Sequence, residues 1–136
     1  MAELDCRIVT PEGVIFDGRA ERVIVPGVEG ELGVLARHAP LVARLKIGAV
    51  ELKFSDGSSR VFAINEGYFK VQRDLAQVLV EGAIDSAAVD VEAVRAEAED
   101  ARRRLAAADA GDAAIDRFRA ERDLAYAENQ LSVVGR

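Results

Sequence analysis

Apolar and polar residues alternate along most of the first eighty positions. Leu4, Cys6 and Ile8 fall on one side of Asp5 and Arg7, and Val50, Leu52 and Phe54 on one side of Glu51 and Lys53. A period of two sends successive side chains to opposite faces of a strand, so these runs predict strands with one buried face. The clearest hairpin leaves Phe54 through Ser55-Asp56-Gly57-Ser58-Ser59, where Asp-Gly supplies the turn, and returns through Arg60-Val61-Phe62-Ala63-Ile64. Further strands are predicted over 4–9, 14–16, 20–25, 68–72 and 76–80. Pro11-Glu12-Gly13, Asp17-Gly18, Pro26-Gly27, Glu66-Gly67 and Arg73-Asp74 punctuate them. Strands this short and evenly spaced favour an antiparallel sandwich or a flattened barrel. Gly30-Glu31-Leu32-Gly33-Val34-Leu35, followed by His38-Ala39-Pro40-Leu41, reads as a closely specified surface loop, the kind of segment that holds something.

Near residue 85 the pattern changes. From about Ala87 alanine, glutamate, aspartate and arginine dominate, and the period becomes three and four. Val91, Val94, Ala98, Ala101, Leu105 and Ala108 form one stripe, and Ala120, Leu124, Ala127 and Leu131 a second, separated by Asp109-Ala110-Gly111-Asp112. The chain therefore divides into residues 1–85, a β unit, and residues 86–136, an antiparallel two-helix hairpin. Both stripes are narrow and alanine-rich, so the hairpin buries little apolar area, leans on whatever it docks against, and is expected to detach.

Composition narrows the chemistry. The 136 residues carry 24 acidic and 18 basic side chains, a net charge of -6, which disfavours a nonspecific binder of nucleic acid. No apolar run approaches the roughly 18 residues that span a bilayer, and the N-terminus lacks the basic and apolar regions of a signal peptide. The one cysteine, Cys6, sits on an apolar strand face and reads as core, consistent with a cytosolic protein. With one histidine, serines gathered at a hairpin tip, no spaced set of metal ligands and no phosphate loop, the chain argues against an enzyme acting alone. Arg102-Arg103-Arg104 would point in three directions about 100° apart along a helix, the pattern of a solvated face.

Taken in order, Val9-Thr10-Pro11-Glu12-Gly13, Gly30 to Leu35, His38-Ala39-Pro40-Leu41, Glu66-Gly67-Tyr68-Phe69-Lys70-Val71 and the Ala/Arg/Glu hairpin resemble the ε subunits of F-type ATP synthases over essentially the whole chain. The resemblance implies a β-sandwich of about ten strands and a helical hairpin, in a non-catalytic rotor subunit. Its partners would be the γ subunit and the c-subunit ring, in proton-driven ATP synthesis at the cytoplasmic face of the cell membrane. Glu31 and His38 match the positions that face the ring. In that family the hairpin either folds against the sandwich or extends into the α/β catalytic head and resists hydrolysis. Arg103, Arg104 and Arg122, with Arg102, Arg117 and Arg119, would then meet the head.

Some members also hold ATP on the folded hairpin through an Ile/Leu-Asp-x-x-Arg-Ala motif. Here Val91-Glu92-Ala93-Val94-Arg95-Ala96 stands in its place, so Glu92, Arg95 and Arg102 are the implied contacts of a weak regulatory ATP site. Tyr126 and Gln130 replace arginines of the nucleotide-binding members, removing two charge-assisted phosphate contacts, each worth about 1.5 to 3 kcal/mol. A competing reading, from a different class, is a free-standing sandwich that binds protein and dimerises through its hairpin.

Overall fold

The computed structural model describes residues 2–136. Ten strands come first: β1 Leu4–Thr10, β2 Gly13–Ala20, β3 Arg22–Gly27, β4 Gly30–Leu35, β5 Leu41–Leu45, β6 Gly48–Lys53, β7 Ser59–Ile64, β8 Gly67–Gln72, β9 Leu75–Val80 and β10 Ala83–Asp85. A 3-10 turn at Ser86–Ala88 leads to α1 Val91–Asp109 and α2 Arg117–Val133. The strands hydrogen-bond in the order β10-β7-β6-β3-β5-β8-β9-β1-β2, with β4 on β3. Because β3 pairs β6 near Arg22 and meets β5 only at Gly27, it crosses between the two layers and nearly closes the sandwich into a barrel. All the pairs are antiparallel except β1 with β9, which the long excursion between them permits.

Alternation accounts for the core. Leu4, Cys6 and Ile8 are fully buried on β1 and meet Leu52, Phe62, Phe69, Val71 and Val78 from the strands around them. Phe62 and Phe69 are completely enclosed, each contributing about 1.5 to 3 kcal/mol of burial. Phe16 packs edge-on to Phe62 at 5.8 Å and tilted to Phe54 at 6.2 Å. Burial, and secondarily the charge of Asp17, pushes the Cys6 thiol up to about 12, so it is a small core hydrophobe.

Three readings of the first half are corrected. Asp17-Gly18 is no turn: it lies inside β2, which runs on past a bulge opposite Ile8 and Val9. Gly30–Leu35 is not a loop but the return strand of a hairpin with β3, from Gly27 opposite Gly30 to Arg22 opposite Leu35. β5 and β10 carried no alternation long enough to read, and tertiary pairing with β8 and β7 makes them strands. The Arg73-Asp74 turn stands: both residues adopt left-handed φ, 53° and 59°, as the tight two-residue connection requires.

Each helix starts at an aspartate cap, Asp90 accepting from the Ala93 amide at 3.1 Å and Asp116 from the Arg119 amide at 3.0 Å. α1 starts at Val91, where the predicted stripe begins, and residues 86–88 before it form the 3-10 turn. Val94, Ala98 and Ala127 close the seam between the helices, with Leu124 and Leu131 at its edge. That seam takes up the middle of the apolar stripes read from the sequence.

Candidate functional site

Three surfaces carry the accessible chemistry. The first is at the tip of the β3–β4 hairpin, which folds over β5: the Val28 amide donates to the Arg44 carbonyl, and the Lys46 amide to that of Pro26, both at 3.0 Å. Gly27 allows the tight reversal, since a Cβ there would stand 2.6 Å from the Gly30 oxygen. Between tip and strand opens a groove of about 530 Å³ lined by Val28, Glu31, Leu32, Val42 and Arg44 among others. Val28 and Val42 are 51% and 69% exposed, an apolar pair beside a carboxylate. Glu31 thus belongs to a strand end, while His38 does not line the groove. Its Nδ1 lies 2.7 Å from the Ala39 carbonyl, in a loop tied to the β8–β9 turn by the Arg37 amide donating to Asp74 Oδ1 at 2.5 Å.

The second surface is the outer face of the β2-β1-β9-β8 layer. Val14 pairs Val9, Val9 pairs Leu79, and Leu79 pairs Tyr68, so four outward side chains form one row across four strands. Val14 is 60% exposed and Tyr68 53%, so the row is open to solvent. Sequence reasoning missed it, because each residue alone is an ordinary outward position and only register aligns them.

The third is the seat of the hairpin. A second face of α2, not the alanine stripe, rests on β6 and β7. Val133 is buried against Val61 and Ala63, and Tyr126 packs over Gly82, where a Cβ would meet the phenol oxygen at 3.2 Å. At the centre the Asn129 amide nitrogen donates to the Gly48 carbonyl at 2.8 Å and reaches the Ile64 carbonyl at 3.5 Å. Gly48 and Ile64 are register partners, so one side chain caps the end of the β6–β7 ladder. Burial, then the charges of Glu97 and Glu12, pushes the Tyr126 hydroxyl up to about 12. At the linker, burial works to raise the Asp85 carboxyl, but the Ala87 amide and the Arg60 guanidinium outweigh it and hold it below its ordinary range. Arg60 grips Asp85 at 2.7 Å while lying about 5 Å over the Phe16 and Phe62 rings, which anchors the linker root to the sandwich.

The hairpin arginines divide. Arg95 pairs with Glu92 at 3.1 Å, Arg102 with Glu99 and, across the hairpin, with Glu128 at 3.9 Å. Arg103 reaches Asp100 at 3.7 Å, and Arg104 bridges Asp100 at 2.9 Å to Asp123 at 3.0 Å. Arg117 is taken by Asp109 and Glu121. Arg122 instead flanks an open cleft with Phe118 and Arg119. Arg95 and Arg102 are paired with nearby acids, Tyr126 is turned to the sandwich, and Gln130 is buried.

A ten-strand sandwich with shaped outer surfaces and a helical hairpin seated on one flank is the build of a subunit that works by docking. The family model described as "ATP synthase, Delta/Epsilon chain, beta-sandwich domain" matches residues 3–86. The ATP synthase epsilon chain of Halalkalibacterium halodurans is 41% identical over 136 residues, covering 100% of both chains. That of Xanthomonas campestris pv. campestris is also 41% identical, over 100% of this chain and 95% of its own. Among solved structures, a chain of the Euglena gracilis mitochondrial ATP synthase (OSCP/F1/c-ring, rotational state 1) superposes with a TM-score of 0.78 over 97% of this chain and 81% of its own. At 23% identity that likeness speaks for the fold. The chain belongs to the ATP synthase epsilon chain family.

Proposed function

We propose that the chain is a non-catalytic rotor subunit at the cytoplasmic face of the cell membrane, joining γ to the c ring in proton-driven ATP synthesis, with residues 86–136 as a brake on hydrolysis. The groove at the β3–β4 tip suits the ring: Glu31 offers a carboxylate to basic loops, with Val28 and Val42 giving it apolar support. His38, held in a loop tied to the β8–β9 turn, meets the ring beside it. The apolar row of Val9, Val14, Tyr68 and Leu79 is the face for γ.

The seat of α2 is the observation that carries the brake. Asn129, Tyr126 and Val133, with the Ser86 hydroxyl donating to the Arg136 carbonyl, hold the hairpin to the sandwich, a contact small enough to be exchanged for another. Two states separated by a few kcal/mol are what partners can shift. On release, Arg103 and Arg104 exchange their internal acids for acidic surface on the α/β head, and Arg122 joins them. ATP is not required, and any binding at Glu92, Arg95 and Arg102 is weak.

The test is ATP hydrolysis by the complete enzyme with full-length chain, with residues 1–87, and with none. The truncated chain is expected to restore coupling and release hydrolysis that the full-length chain suppresses. Identical behaviour of the full-length and truncated chains would remove the brake from the proposal.

A further inference from the structure

Residues 85–90 join the sandwich to the hairpin, and the first of them is fixed. Arg60 holds Asp85 at 2.7 Å, and Asp85 accepts from the Ala87 amide at 2.9 Å, so the chain pivots only beyond it. Ser86 is buried, and its hydroxyl donates to the carbonyl of Arg136, 50 residues on, at 3.1 Å. Val89 packs against the cluster that holds Val133 and against the helical seam around Val94. The end of α2 is drawn to the same short linker from which α1 starts, although no backbone joins the two there.

The turn that brings Arg136 to Ser86 is specified by its glycine. Val134 has φ −58° and ψ 128°, Gly135 has φ +86°, and the Arg136 amide donates to the Val133 carbonyl at 3.0 Å. This is a type II turn, with glycine where left-handed backbone is required. A Cβ at Gly135 would meet nothing within 4 Å, so backbone conformation alone demands the glycine. Helix ends fray unless something ties them. The α2 helix ends on Val133, the buried valine of its seat, with no basic side chain in its last turn to answer the carbonyls. We propose that residues 134–136 are a clasp: the turn carries the Arg136 carbonyl onto Ser86, ties the end of α2 to the linker, and sets how often the hairpin leaves the sandwich. While it is closed, the last turn of α2 stays wound and keeps Asn129 and Val133 on β6 and β7. Once it opens, that turn unwinds and the seat loses Val133. A helix pair held only by the backbone of α1 is also free to twist about the linker, a freedom the second tie removes. This inference rests on the reading of the hairpin as an element that undocks.

Hydrogen exchange resolved by residue, on the isolated full-length chain, tests it. Ser86→Ala and Gly135→Ala are each expected to speed the amides of α2 by about three- to tenfold, the effect of losing one net hydrogen bond or of straining one alanine. Because both open the same clasp, the double variant should be little faster than the faster single one. Gly135→Asn, which accepts the left-handed turn position, should stay close to the parent rates. Ser132→Ala removes a hydroxyl that bonds only within its own helix, to the Asn129 carbonyl at 2.7 Å, and should leave the rates unchanged. Unaltered amides in β1, β8 and β9 show that the sandwich is intact. Rates unmoved by either single variant overturn the proposal, as do effects that add in the double variant or spread to those strands. Hydrolysis by the assembled enzyme distinguishes clasp from brake. Variants that loosen the isolated chain without altering hydrolysis support the clasp and refute the brake, whereas an unchanged isolated chain refutes the clasp and leaves the brake standing.

Discussion

Replacing Asn129 by alanine is expected to loosen the hairpin without unfolding the sandwich. The amide donates at 2.8 Å to the Gly48 carbonyl, a bond worth about 1 kcal/mol net, and its 3.5 Å approach to Ile64 adds little. Leaving the Gly48 oxygen unpaired in a half-buried seam raises the cost, so about 1 to 2 kcal/mol is expected, a five- to thirtyfold shift toward the undocked state. Hydrogen exchange resolved by residue is the assay. Amides of α1 and α2 should speed up by that factor, while those of β8 and β9, which share no contact with Asn129, keep their rates. Asn129→Asp should go further, because a carboxylate would face carbonyl oxygens. Val133→Ala removes two buried methyl groups, about 1.6 kcal/mol of transfer, and should reproduce the selective loosening by a different route. If Asn129→Ala leaves helical amides unchanged, or speeds sandwich and helices alike, the amide is not what holds the hairpin.

Three other outcomes are expected. Gly67→Ala should destabilise the sandwich by several kcal/mol in urea unfolding, because its Cβ would stand 2.1 Å from the Leu79 carbonyl oxygen with only backbone to yield. In a Tyr68→Phe background, hairpin docking should weaken as pH rises from 10 to about 12. The docked Tyr126 stays protonated up to about 12 while the released phenol ionises from about 10, so the stability is present below 10 and lost above it, readable by phenolate absorbance. Calorimetry with Mg-ATP should give no dissociation constant below the millimolar range, since the arginines that would bind it are engaged by Glu92, Glu99 and Glu128. Micromolar binding would refute that accounting.

Much of the fold lies in local pattern. Alternation in β1 and β6 and the Asp-Gly and Arg73-Asp74 turns predict strands that the structure contains, because a period of two has one physical meaning wherever a sheet buries one face, whereas β7 is buried on both faces, against the core and against the hairpin. The three-and-four spacing of alanines and leucines likewise predicts the seam between α1 and α2. The reading failed where glycine served packing rather than turning. Gly18 sits within a strand because a Cβ there would meet the Phe16 ring at 2.9 Å.

Hydrophobic periodicity, turn chemistry and charge determined, from the sequence alone, a β unit followed by a weakly packed charged hairpin. The order of its motifs along the chain carried the resemblance to a family. Only the tertiary structure decided which surfaces can work. The seat of α2 is built on Asn129 and Tyr126 beside Val133, outside the alanine stripe that the apolar period reveals, and Asn129 finds carbonyls 81 and 65 residues away. The apolar row over β2, β1, β9 and β8 exists through register, and the division of arginines into engaged and open through which carboxylates the packed helices bring near. Strand and helix periods are properties of neighbours in the chain. A docking surface is a property of neighbours in space, and those are fixed only when the whole chain has packed.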